Sequence, residues 1–153
     1  NWVEILEKIY YCYRLMPYGS PKIRAVKKEK KLFLWDWSVL EKSGAQFENL
    51  VASHLLKYCH FLEDSEGEVM ELRYIKDTDN REVDFVVLKN KKPLFAVECK
   101  SGDVGLSKNI KYFKDRTPIP YFYQVHKGTK DYIAEKNCRV LPFEKFCDVV
   151  GLV

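Results

Sequence analysis

Apolar residues recur at helical spacing at the start of the chain. Val3, Leu6, Ile9, Tyr10 and Tyr13 share one stripe and predict a helix over Trp2 to Arg14, ended by Pro17, Gly19 and Pro21. Two short strand-like runs follow, Lys22 to Val26 and Lys31 to Trp37, with Lys27-Lys28-Glu29-Lys30 as a charged hairpin tip. After Ser43-Gly44 the stripe Phe47, Val51, Leu55, Tyr58 predicts a helix over Ala45 to Phe61, and the acidic Leu62 to Glu68 segment reads as a loop. The pattern then shortens. Strands are predicted over Val69 to Lys76, Arg81 to Leu88 and Pro93 to Lys100, separated by Asp77-Thr78-Asp79-Asn80 and Lys89-Asn90-Lys91-Lys92, residues that tolerate turn geometry. Gly102 and Gly105 flank a loop, and a helix is expected from Leu106 to Arg116. Pro118-Ile119-Pro120 leads into a strand over Tyr121 to His126. A short helix near Thr129 to Lys136, a strand near Arg139 to Leu141 and a helix from Phe143 complete the expectation. This order implies an α/β fold, a mixed central sheet with helices on both sides. Residues 43–153 form the main domain, and residues 1–42 are either a winged-helix-like remnant, a helix followed by a basic hairpin, or an N-terminal appendage that simply packs on the main domain.

Two of these strands carry unusual polar residues. Asp84 interrupts the apolar run Val83 to Leu88, and Glu98-Cys99-Lys100 ends the run that begins at Pro93. Residues two apart on a strand point to one face, so Glu98 and Lys100 project together and a paired strand can bring Asp84 beside them. Two acids and a lysine on one sheet surface can hold a divalent metal and position water for phosphodiester hydrolysis. In that arrangement Asp84, Glu98 and the Cys99 carbonyl supply oxygen ligands to Mg²⁺ or Mn²⁺, and Lys100 orients or deprotonates the water, or neutralises developing charge. Ser101 and the loop after it are placed to meet a phosphate. A carboxylate on a buried strand is costly unless paired or metal-bound; an ion pair from Asp84 or Glu98 to Lys100, with no metal, satisfies the same pattern. Glu82 is expected at the surface, turned away from Asp84. Gln124 is a weaker polar candidate. His54, His60 and His126 are scattered and read as surface or packing residues.

Composition adds bounds rather than direction. The chain has 153 residues, is 46% hydrophobic and carries a formal charge of +4, which permits a nucleic-acid partner without requiring one. Lys108, Lys111 and Lys114 recur on one helix face and, with Arg116 and Lys127, are candidates for a DNA-backbone contact; a solvated helix face has the same pattern. The Lys27 to Lys31 cluster fits either a wing touching phosphate or an ordinary hairpin tip. Five cysteines without a CxxC pair read as reduced, mostly buried thiols of a cytoplasmic protein. No apolar stretch reaches the roughly 18 residues of a membrane span. The chain opens on Asn1 inside a helical pattern, which suggests a piece of a longer polypeptide.

The order helix, three-strand meander, helix, strand, with Asp84 on the second strand and Glu98-Cys99-Lys100 on the third, resembles the PD-(D/E)XK (restriction endonuclease-like) nuclease superfamily. Val83 stands where the motif's proline would be. The resemblance implies a further acid from the first core helix, and Glu48 in Gly44-Ala45-Gln46-Phe47-Glu48-Asn49-Leu50-Val51 matches it, as a second-metal ligand or a holder of metal-bound water. More closely, Gly44 to Leu55, Arg81-Glu82-Val83-Asp84-Phe85-Val86, Val97 to Gly102 and the lead-in Lys31-Leu32-Phe33-Leu34-Trp35-Asp36 look like the C-terminal domain of unknown function found on many prokaryotic AAA+ ATPases. That likeness implies an upstream ATPase in the same polypeptide, since no GxxxxGK[ST] nucleotide loop occurs here. The implied function is metal-dependent DNA hydrolysis or DNA binding. The competing expectation is a non-catalytic interaction or oligomerisation module that engages a protein partner.

Overall fold

The computed structural model describes residues 1–152. Its centre is one mixed sheet of eight strands in the order β2-β1-β3-β4-β5-β6-β8-β7. In chain order these are β1 (Cys12–Pro17), β2 (Lys31–Leu34), β3 (Met70–Lys76), β4 (Glu82–Lys89), β5 (Lys92–Cys99), β6 (Phe122–His126), β7 (Tyr132–Glu135) and β8 (Cys138–Pro142). The helices are α1 (Trp2–Lys8), α2 (Ser43–Glu66), α3 (Lys108–Lys114) and α4 (Phe143–Val150). The meander β3-β4-β5 is antiparallel, while β6 runs parallel to β5 and β8 parallel to β6.

Side-chain alternation along β4 and β5 builds a core on each face. Phe85, Val87, Phe95 and Val97 pack with the α2 stripe Phe47, Val51, Leu55 and Cys59 and with Phe146 of α4. Val83, Val86, Leu88 and Ala96 pack on the other face with Ile110 and Phe113 of α3. Helices therefore cover both faces, as the sequence pattern implied. Phe85, Val86, Val87, Ala96 and Val97 are fully buried, and each larger side chain among them contributes roughly 1.5–3 kcal/mol of apolar burial.

Four elements depart from expectation. α1 stops at Lys8, because Tyr10 turns into the left-handed region (φ 56°) and the chain continues as β1. There Cys12, Tyr13 and Leu15 are buried, and pairing with β2 and β3 overrides the helical spacing of Tyr13. Lys22 to Val26 does not form a hairpin with β2. β2 pairs with β1, from Cys12↔Leu34 to Leu15↔Lys31, and the 22–26 run makes only a single bridge, Ala25 to Asp77. α2 continues through the acidic segment to Glu66 and is closed by Gly67, whose φ of 68° suits a glycine cap. Residues expected as a short helix near 129–136 include strand β7, joined to β8 by a tight turn with Asn137 at φ 62°. Aromatic and β-branched Tyr132 and Ile133 suit this edge strand. No helix among the described residues is long and apolar enough to cross a membrane.

Candidate metal centre

The candidate residues meet where β4 and β5 part. The last ladder pair at that end is Phe85↔Val97, after which β5 stays with β6 through Glu98↔Gln124 and Cys99↔Val125. In the gap, the Asp84 carboxylate replaces a backbone acceptor: Cys99 N–H donates to its Oδ2 at 2.8 Å. A β-bulge aims Asp84. Arg73 pairs with Val86 and Ile75 with Val83, so Asp84 and Phe85 together face Tyr74 alone. Strict alternation would have put Asp84 with Val86 and Leu88 on the α3 face. The extra residue instead turns Asp84, and Glu82 before it, toward α2, where one oxygen each from Glu48, Glu82 and Asp84 lie within 4.8 Å of one another.

Glu82 thus joins Asp84, contrary to expectation. The residues are two apart on one strand, which is the same-face spacing, and that spacing was the signal for it. The second unforeseen residue is Lys31. Its ammonium lies 2.6 Å from Glu48 Oε1 and 3.6 Å from Asp84 Oδ1, and it donates a short hydrogen bond to Glu82 Oε1. β2 delivers it. Asn49, buried on α2, accepts from Leu34 N–H at 2.8 Å and donates to Leu34 O at 2.6 Å, fixing β2 against the helix. Burial opposes the Lys31 charge, but the Asp84 and Glu48 carboxylates outweigh it and hold the ammonium above its ordinary range.

Glu98 and Lys100 lie at the other wall. Lys100 Nζ donates to Glu98 Oε1 at 2.7 Å. Glu98 Oε2 is buried and has no hydrogen-bond partner among the described residues, although the Glu98 side chain is only 6% exposed. Burial pushes the Glu98 carboxyl upward, and Lys100, with a smaller contribution from the Asp84 backbone N–H, only partly offsets this. Burial, then the Glu98 and Glu48 charges, push Asp84 well above the ordinary carboxylate range. The Cys99 thiol is likewise raised by burial. Gly44, Phe47, Glu48, Asp84, Glu98, Cys99, Lys100 and Ser101 line one pocket of about 310 Å³. Counting Glu82, four carboxylates face two ammoniums, a formal excess of two negative charges. A hard-oxygen donor set, a charge deficit of two and an orphaned buried oxygen fit a divalent cation such as Mg²⁺ or Mn²⁺.

The loop after β5 is pinned from below. Gln124, fully buried on β6, accepts from Ser107 N–H at 2.8 Å and donates to the carbonyls of Val104 and Gly105. It is therefore a brace for the segment carrying Ser101. Asp103 lies 3.3 Å from buried His126, whose Nδ1 accepts from Gly128 N–H while Nε2 bonds Lys130 O. His54 bonds Leu50 O, in keeping with packing. None of the α3 lysines lines the pocket. Lys111 and Lys114 both pair with Glu135 of β7, and Lys108 is exposed at the start of α3. Arg116 stacks on Tyr112, and Lys127 donates to Ser43.

A family model described as a domain of unknown function (DUF4143) matches residues 43–146. No curated protein and no solved structure matches the chain.

Proposed function

The chain belongs to the DUF4143 family, and we propose that it is a restriction endonuclease-like domain of PD-(D/E)XK type that hydrolyses DNA phosphodiester bonds with Mg²⁺ or Mn²⁺. In this proposal it works in the cytoplasm as the C-terminal module of a AAA+ ATPase. One observation carries the reading: the buried, unpartnered Glu98 Oε2 lines the same pocket as Asp84 and Glu48 and beside an excess of carboxylate charge. Asp84, Glu98 and the Cys99 carbonyl would hold the cation, with Glu48 binding a second one or a coordinated water. When bound, the metal would acidify a water and offset charge on the phosphate. Lys100, tied to Glu98, orients that water or neutralises charge gathering on the phosphate oxygens. Ser101, at the pocket wall, meets a neighbouring phosphate, and Lys108, Lys111 and Lys114 provide a more distant contact to the DNA backbone.

A specific observation favours a second reading, a non-catalytic interaction or oligomerisation module of the ATPase. Lys31 already contacts three of the carboxylates, which is how acids behave when their role is to hold a strand in place. Incubation with plasmid and branched DNA in Mg²⁺ or Mn²⁺ separates the two. The nuclease reading expects cleavage that falls by about 10²-fold or more in Glu98→Gln and Lys100→Ala. Cleavage that is absent from wild type, or equal in wild type and both variants, selects the scaffold.

A further inference from the structure

The nuclease reading assigns no part to Lys31, yet Lys31 is the cation nearest the acids. We propose that Lys31 is a built-in counter-ion of this site: its ammonium holds the space between Glu48, Glu82 and Asp84 and must withdraw when a divalent cation takes those carboxylates. The inference rests on the metal reading above and adds Glu82 to the carboxylates that face the cation.

Three features carry it. The ammonium touches all three acids, two of them at hydrogen-bonding distance, so a metal reaching Asp84 from this side meets Lys31 first. The acids outnumber the lysines by two even with Lys31 in place, and the Glu98 oxygen across the pocket stays unpartnered. One ammonium is therefore an incomplete match, and a doubly charged ion competes on favourable terms. Lys31 also has somewhere to go. Together with Leu32, Leu34, Leu40, Ala45 and Glu48 it lines a second hollow of about 310 Å³ that shares Glu48 with the first. In its present place the ammonium also lies 5.7 Å from the Phe33 ring centre and 6.0 Å from that of Tyr74, contacts a displacing cation has to outcompete along with the acids.

Calorimetric titration of Mn²⁺ into wild type and Lys31→Met tests this. The expected result is affinity at least about tenfold tighter in Lys31→Met, about 1.4 kcal/mol, with a variant that melts lower in EDTA and recovers on adding Mn²⁺. Metal bound by wild type but no tighter by Lys31→Met overturns the counter-ion role and leaves the metal reading standing. No binding by either protein removes both. A second measurement needs no variant: the acetylation rate of Lys31 in the wild-type protein, read by mass spectrometry, is expected to rise several-fold with saturating Mg²⁺. An unchanged rate overturns the displacement.

Discussion

Asp84→Asn separates a functional carboxylate from a structural one through stability alone. The Asp84 carboxylate has oxygens of Glu48 and Glu82 within 4.8 Å and the Lys31 ammonium at 3.6 Å. At an effective dielectric constant of about 20, each repulsion is worth about 3.5 kcal/mol and the Lys31 attraction about 4.6 kcal/mol. The repulsions exceed the attraction by roughly 2 kcal/mol, before counting the desolvation and the Glu98 charge, both of which also oppose the Asp84 charge. Asparagine keeps an oxygen for the Cys99 N–H and removes the charge. In EDTA near pH 7.5 the variant should therefore be more stable than wild type by roughly 1–3 kcal/mol in urea unfolding. For a chain this size that is a rise of about 2–4 °C in Tm per kcal/mol. Saturating Mn²⁺ should close the gap, because wild type gains binding energy that the variant forgoes. A variant less stable than wild type in EDTA would refute the reasoning and make Asp84 an ordinary partner of Lys31.

Other substitutions probe the supports. Gln124→Leu strands the Ser107 N–H and two carbonyls of the loop after β5, and should lower stability by about 1–3 kcal/mol in denaturant unfolding. A methyl group at Gly128 would meet Asp103 Oδ1 at 2.2 Å, so Gly128→Ala should cost about 1 kcal/mol and much less in an Asp103→Ala background, which a double-mutant cycle reads directly. Burial alone would raise the Asp77 carboxyl, but Arg81 and the backbone N–H groups of Arg81 and Asp79 hold it below its ordinary value. Its contribution is thus present above the unfolded-state pKa, near 3.9, and lost as pH falls through the lower folded value. Wild type should lose more stability than Asp77→Asn between about pH 4 and pH 2, as followed by thermal melts.

The central strands were legible because two-residue alternation over β4 and β5 is local and their turns carry Asn, Asp and Lys. The Glu98-Cys99-Lys100 run at the end of β5 was legible in the same alternation, whereas Asp84 faces α2 only because of a bulge. What sequence could not supply is set by partners far along the chain. β1 looked helical because Tyr13 falls on the stripe of α1, and only the ladder with β2 and β3 decides otherwise. The bulge at Asp84 and Phe85 is written in the register against Tyr74 rather than in either residue. Lys31 was one member of a basic run, and its entry among the acids depends on an edge strand and on Asn49, which looked like any polar helix residue. Glu82 is different, since its spacing from Asp84 already put both on one face.

The most direct measurement is anomalous scattering from crystals of the protein soaked in Mn²⁺. The account expects a peak about 2.0–2.4 Å from carboxylate oxygens of Asp84 and Glu98, with the Lys31 ammonium moved away from Glu48 and Glu82. A pocket without a peak at saturating Mn²⁺, with Lys31 still bonded to its carboxylates, would contradict it.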